Sequence, residues 1–244
     1  MNLQQLLSPF RKAVDDFNMI SDGDKIAVGL SGGKDSIALL SAFCGLKRFY
    51  PKNFDIIAVT IDTGVGYDKR EFDALKNFVD GLGVDYHIEK TEIYDIVFNE
   101  RKESNPCSLC ANMRRGALNQ VSAELGCNKV ALGHHADDLV ETFYLSMLYE
   151  GRFSTFHPVT HLERANLDVI RPMIYVRERD IISFTNDKPI LHNPCPADKH
   201  TRREYIKNLL KDIRKEIPFS TDNVLNALIH PERTNLFTKP TDKK

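Results

Sequence analysis

No stretch of this sequence approaches the apolar run needed to cross a bilayer, and Met1-Asn2-Leu3-Gln4-Gln5 lacks the charged and apolar regions of a signal peptide. A cytoplasmic protein with no membrane partner is therefore expected. Excess charge of either sign is also missing. Lys and Arg number 33 and Asp and Glu 34, for a formal net charge of -1. A chain so balanced is not a polycation that coats nucleic acid indiscriminately, so any nucleic-acid site must be a local patch. Cysteine is sparse, five in 244 residues, and an odd number without export signals argues against a disulfide framework. Metal binding, catalysis or simple burial remain. Internal repeats and low-complexity tracts are absent as well. What is present, 42% hydrophobic residues, suffices for one substantial core or one core with a small appendage.

The apolar pattern sorts this chain into alternating elements. Leu3, Leu6, Leu7, Phe10, Val14 and Phe17 recur at helical intervals before the turn cluster Ser21-Asp22-Gly23-Asp24. Short apolar runs at Lys25–Leu30, Ile56–Ile61, Val84–Ile88 and Lys129–Leu132 read as strands. Helical patterns fill 37–50, 72–82, 111–125, 137–149, 177–184 and 202–213. Strands alternating with helices predict an α/β fold, a doubly wound parallel sheet with helices on both faces. The expected division is an N-terminal helix over 1–22, a nucleotide-binding domain over 23–175, a helical C-terminal region over 176–233 carrying the third candidate cysteine, and a frayed tail over 234–244. Periodicity fades between Arg152 and Leu167, ahead of Ile170-Arg171-Pro172.

Between the first strand and the helix after it stands Ser31-Gly32-Gly33-Lys34-Asp35-Ser36. Two consecutive glycines let the backbone curl so that several N–H groups point inward at a helix start, which makes an anion nest. Ser31 and Ser36 add hydroxyl donors and Lys34 a cation. Asp35 adds a carboxylate able to hold a magnesium ion that bridges phosphates. The spacing is not that of the Walker loop, which disfavours P-loop kinases and GTPases. Asp62 ends the second strand, where loops at carboxyl ends of parallel strands line a crevice; a helix cap is the bland alternative. Gly133-His134-His135-Ala136-Asp137-Asp138-Leu139-Val140-Glu141-Thr142 opens a helix after the fourth strand. Asp137 and Asp138 there either favour the helix N-terminus or hold a metal or orient substrate.

Cys107-Ser108-Leu109-Cys110 is a CxxC pair, and Cys195 follows much later within Asn193-Pro194-Cys195-Pro196. Three thiols are countable as ligands. Structural zinc needs a fourth, such as His192 or His134; a [4Fe-4S] cluster on three cysteines leaves one iron open, although four cysteines are its usual set. Spacing alone does not choose, and a redox pair also fits. Cys44 and Cys127 match no ligand motif and read as small core hydrophobes. Arg114-Arg115, Arg177 with Arg179, and Lys199 with Arg202-Arg203 gather positive charge near these segments, as a solvated face or as a patch for a phosphate backbone.

The loop resembles that of the PP-loop ATP pyrophosphatases, also called adenine nucleotide alpha hydrolase-like. More closely, Asp16–Ile20, Pro106-Cys107 through Cys110, Arg114-Arg115-Gly116, the His134–Asp138 stretch, Ile170-Arg171-Pro172 and Pro194-Cys195 stand in the order seen in TtcA-type tRNA 2-thiocytidine synthetases, from about residue 10 to about residue 210. That resemblance implies that ATP binds at Ser31, Gly32, Gly33, Lys34, Asp35 and Ser36 with Asp62 and Gly133 beside it, and that magnesium sits on Asp35. It also implies that Cys107, Cys110 and Cys195 carry an oxygen-sensitive [4Fe-4S] cluster, zinc being the alternative, with Asp137 and Asp138 in the catalytic set. The implied reaction adenylates the C2 oxygen of an anticodon-loop cytidine and replaces it with sulfur. The implied partners are tRNA, a sulfur donor such as a cysteine desulfurase, and a second copy in a homodimer. Relatives often carry a further cysteine where this chain has Asp198. That leaves the fourth cluster position to Asp198, water or sulfide, and puts a fourth thiol's role in sulfur relay in doubt. Thiouridine enzymes with additional CxxC pairs fit less well, and a lysidine-type enzyme or an ATP-binding module with structural zinc are the other readings.

Overall fold

The computed structural model describes residues 1–101, 106–192, 194–195 and 202–236. Helix α1 (Leu3–Asp16) opens on Asn2, whose side chain accepts from the Gln5 N–H while the Gln5 side chain accepts from the Asn2 N–H. This reciprocal box satisfies donors that a helix start leaves open. Strand β1 (Asp24–Gly29) then runs into α2 (Lys34–Lys47), followed by β2 (Phe54–Asp62), α3 (Lys69–Gly81) and β3 (Asp85–Lys90). A short α4 (Ile93–Asp95) continues as a π turn over Ile96–Glu100. Next come α5 (Pro106–Glu124), β4 (Lys129–Ala131), α6 (Ala136–Leu145), β5 (Val159–Leu162), β6 (Leu167–Ile170), α7 (Glu178–Thr185), α8 (Arg202–Glu216) and α9 (Ser220–Ile229).

The six strands lie in the order β3-β2-β1-β4-β6-β5, parallel except for β5. Chain progress reverses between β1 and β4, so a crevice opens there beyond the strands' carboxyl ends. Ile26, Ala27 and Val28 of β1 are fully buried, as a strand covered on both faces requires. On one face, Ala27, Ile57, Val59 and Val130 pack with Leu118 and Val121 of α5 and with Ile93 and Val97. Helices α1, α2 and α7 pack together as another layer. The sheet thus follows the expected doubly wound plan. The added feature is the antiparallel hairpin of β5 and β6, in register from Val159↔Ile170 to Leu162↔Leu167.

By its internal contacts the chain forms two compact units, residues 1–136 with 156–199, and residues 137–155 with 200–244. The first contains the sheet. In the second, Val140, Ile206 and Leu210 form a small core with Leu145, Leu209 and Val224. The helical region expected from residue 176 supplies α7 to the first unit and α8 and α9 to the second.

Candidate active site

The loop after β1 is held open by its own side chains. The Ser36 hydroxyl donates to the Gly33 carbonyl at 2.9 Å and lies 3.2 Å from the Ser31 hydroxyl, while the Gly33 N–H faces Ser31 Oγ at 3.4 Å. Gly33 is the N-cap of α2 and makes no side-chain cap. The first-turn N–H groups therefore remain directed at whatever anion enters. Gly32 sits at φ +80°, and a Cβ there would fall 2.5 Å from Leu191 Cβ, so the turn excludes every residue with a side chain. Gly133 is also fitted: a Cβ on it would come within 3.2 Å of the Asp35 backbone. The loops after β1 and β4 thus touch through bare backbone.

Charges in this loop are arranged in a chain. Lys34 Nζ lies 2.8 Å from Asp35 Oδ1 and 3.2 Å from Glu178 Oε1 at the start of α7, and buried His135 Nε2 lies 3.7 Å from Asp35 Oδ1. Burial alone would lower the Lys34 pKa, but the Asp35 hydrogen bond and charge, with those of Glu178, raise it above its ordinary value. Lys34 is a fixed cation. At the end of β2, the Asp62 carboxylate accepts from the Gly64 N–H at 3.0 Å, and its backbone carbonyl accepts from the Thr91 N–H at 2.8 Å. It tightens a turn and caps no helix; that task falls to Asp68 at the start of α3.

Helix α5 begins at Pro106, five residues before its sequence pattern. Cys107 and Cys110 therefore sit at the helix start, three apart and on one face. They line a cavity of about 180 Å³ together with Cys195, Arg114 and the rings of Tyr94 and Phe98, which are stacked at 4.7 Å. Thr63 and Val65, just past Asp62, form part of the same wall. Burial pushes the Cys110 thiol up, against the lowering charge of Arg114. Among the described residues, no group of three His, Cys, Asp or Glu is set around a single metal ion. His192 makes its closest contact with Glu71, Nδ1 to Oε1 at 2.7 Å. Cys127 is buried within the α5 core and Cys44 is half-buried, its pKa raised to about 11 by burial. Asp198 and Lys199 fall outside the described residues.

In the second unit, Asp137 and Asp138 occupy the first turn of α6. Arg214 lies 3.8 Å from Asp137, and Arg203 lies 3.5 Å from Asp138 and 3.2 Å from Glu141. Arg203 Nη2 also reaches the Thr142 hydroxyl at 3.3 Å. Both arginines come from α8, so the acidic turn is clamped from one side by guanidinium groups.

A family model described as a PP-loop domain matches residues 2–213. The tRNA-cytidine(32) 2-sulfurtransferases of Pelobacter propionicus and Geobacter sulfurreducens are 40% and 41% identical to this chain. These matches cover 90% and 89% of it and 84% and 86% of the relatives. The chain belongs to the tRNA-cytidine(32) 2-sulfurtransferase family. It also shares its fold with the solved U34-tRNA thiolase NcsA from Methanococcus maripaludis with its [4Fe-4S] cluster. There the TM-score is 0.77 at 24% identity, covering 98% of this chain and 83% of that one.

For a member of the 2-sulfurtransferase family, several residues around the site escape motif reading. Glu178, Leu191, Tyr94 and Phe98 carry no signature in sequence; their signal is an ordinary amphipathic helix or loop position. His135 lay inside a recognised stretch, but only the fold shows that it turns toward Asp35. Arg171, in Ile170-Arg171-Pro172, has a structural task. Its Nη1 donates to the His157 carbonyl at 2.7 Å and to Thr160 Oγ1 at 3.1 Å, which ties β6 to the segment before β5.

Proposed function

We propose that this chain is an ATP-dependent tRNA sulfurtransferase that converts the C2 carbonyl of an unpaired cytidine, position 32 in its named relatives, to a thiocarbonyl. The observation that carries this reading is the meeting of thiols from two distant segments, Cys107 with Cys110 and Cys195, in one cavity whose wall begins next to Asp62. A PP-loop domain accounts for ATP cleavage; it does not by itself account for three thiols.

The nest of Ser31 to Ser36 would hold the β- and γ-phosphates, with Lys34 neutralising their charge. The cytidine O2 then attacks the α-phosphorus, an O–P bond forms, and the bond to the β-phosphate breaks to release pyrophosphate. A sulfur nucleophile adds at C2, and AMP departs with the original oxygen, leaving 2-thiocytidine. Asp35 offers hard oxygen donors that suit magnesium, which commonly takes only one or two carboxylates beside substrate phosphates. Asp62 and Gly133 would border the nucleotide, while Asp137 and Asp138 would orient substrate or metal.

Three thiols lining one cavity suit a multi-atom cluster, which three cysteines can hold with one iron left open. Held by Cys107, Cys110 and Cys195, a [4Fe-4S] cluster would supply an iron position open to sulfide. Arg114 lies at the same wall as a counter-charge, and Tyr94 and Phe98 give that wall its aromatic part. A cysteine desulfurase or similar donor would provide the sulfur.

The test is anaerobic purification with iron, sulfide and zinc analysis, followed by incubation with ATP, sulfide and tRNA and nucleoside analysis. The reading expects iron and sulfide in the protein, with 2-thiocytidine, AMP and pyrophosphate formed together. Cys195→Ala should lose thiolation and weaken the cluster while keeping ATP binding. Full thiolation by that variant, or stoichiometric zinc without iron in an active protein, would overturn it.

A further inference from the structure

Among the described residues, the large apolar side chains that stand exposed all belong to the second unit, apart from Phe49 and Ile182. Soluble surfaces seldom concentrate exposed rings without a use. Phe153 is 65% exposed and stacks on Phe143, with centroids 5.9 Å apart and planes 19° from parallel. One π-face is thus backed by protein and the other left open. Tyr149, 45% exposed, lies under the Arg202 guanidinium at 4.8 Å from its ring centre. Tyr205, 60% exposed, follows Arg202 by about one turn along α8. The segment bearing Phe153 is tied down, since the Arg152 N–H donates to the Ser146 carbonyl at 3.2 Å and Thr155 Oγ1 to the Leu139 carbonyl at 3.1 Å.

We propose that this surface of Tyr149, Phe153, Arg202 and Tyr205 is a stacking platform for unpaired bases of an RNA loop. The proposal rests on the function read above and names where that substrate's loop is held. Single-stranded bases are recognised by stacking on aromatic rings and on guanidinium planes, with nearby cations taking the phosphates. Both parts are present here. Helix α8 also bears Arg203 and Arg214, but these are held by Asp138, Glu141 and Asp137, so the cation this surface itself offers to a phosphate is Arg202. Rings fixed by packing lose little freedom when a base settles on them, so the platform is preorganised.

The experiment measures binding of a synthetic stem-loop RNA with an unpaired cytidine-containing loop, and of a blunt duplex, to the full chain. Phe153→Leu and Tyr149→Leu keep apolar bulk but remove the π-face. Each should weaken stem-loop binding about five- to a hundredfold with little effect on the duplex or on ATP binding. Arg202→Glu, on the exposed helix face, should weaken binding of both RNAs and flatten the salt dependence. It serves as the check if a ring variant fails to fold. Stem-loop affinity unchanged in all three, or equal losses on duplex and loop for the ring variants, would overturn the proposal. So would loss of self-association in sedimentation with RNA binding intact, which would assign the surface to a second copy. Thiolation by the wild type alongside unchanged variant affinity sinks only the platform; platform-dependent binding without thiolation sinks only the reaction.

Discussion

The N–H of Leu191 donates to the carbonyl of Gly32 at 2.9 Å, and a Cβ placed on Gly32 would lie 2.5 Å from Leu191 Cβ. The phosphate-loop candidate and the segment that leads to Cys195 are therefore one packed piece, and Gly32 is its tightest point. Gly32→Ala must place a side chain at φ +80°, which costs about 1–2 kcal/mol by conformation alone, and must also push Leu191 away. We expect a lower melting temperature and at least tenfold weaker ATP binding by calorimetry. Gly81→Ala is the control: nothing lies within 4 Å of its Cβ position, so helix propensity should leave stability equal or slightly higher. Equal ATP affinity in both variants would remove Gly32 from the nucleotide site.

Lys34 is flanked by Asp35 and Glu178, and these carboxylates keep it protonated despite burial. A lysine bound this way can turn to an incoming phosphate without first gaining a proton. Lys34→Ala should lower tRNA-dependent pyrophosphate release by about a hundredfold or more, the scale seen when one preorganised charge or donor is removed. Glu178→Gln, which leaves the cation and Asp35 in place, should change that rate by less than about tenfold, as a positioning residue would. Comparable losses in the two variants would mean that Glu178 touches the reacting groups.

Four of the five thiols differ by environment and should separate on alkylation of metal-free protein. Cys107 is exposed. Cys110 is raised by burial but moderated by Arg114. Cys44 is raised to about 11, and Cys127 is buried and raised. Because thiolate is the reacting form, iodoacetamide at mildly alkaline pH should label Cys107 before Cys110, and Cys44 and Cys127 last. Arg114→Ala removes the charge that lowers Cys110, so its labelling should slow. Mass spectrometry of timed digests reads each rate, and faster labelling of Cys110 in that variant would contradict the assignment.

Legibility in the sequence followed from how local each cause is. The strand and helix pattern around Ser31–Ser36 was readable because buried parallel strands are continuous apolar runs and the two glycines mark a turn. The β5–β6 hairpin was not, since its strands are four residues each and only β6 is well buried, too short for any period to register. Helix α9 lay within the expected helical stretch 176–233 without bounds of its own, because STDNVLNALI gathers its apolar residues in its last six positions. The extension of α5 back to Pro106 was obscured by the polar stretch around the CxxC pair. Convergence of Cys195 with Cys107 and Cys110 is a tertiary fact; order along the chain suggested it only through family likeness. Arg203 looked like generic surface charge until α8 brought it against Glu141.

That last pair sets a pH dependence. Glu141 is buried, with a pKa pushed up to about 7 from an ordinary 4.5, by burial first and by Asp138, against the lowering charges of Lys207 and Arg203. The folded state thus binds its proton more tightly than the unfolded chain does. Stability from this group is full below about 4.5 and is lost as pH rises through about 7. Glu141→Gln should therefore flatten the melting-temperature profile between those values and melt higher than wild type at pH 8. Arg203→Ala removes a counter-charge 3.2 Å away, so at pH 8 it should destabilise by about 1–3 kcal/mol. In the Glu141→Gln background the same change should cost less, because no buried carboxylate is left to stabilise. A double-mutant cycle across pH 5 to 8 measures that coupling; coupling already full at pH 5 and unchanged to pH 8 would show that Glu141 is ionised throughout and overturn the raised pKa.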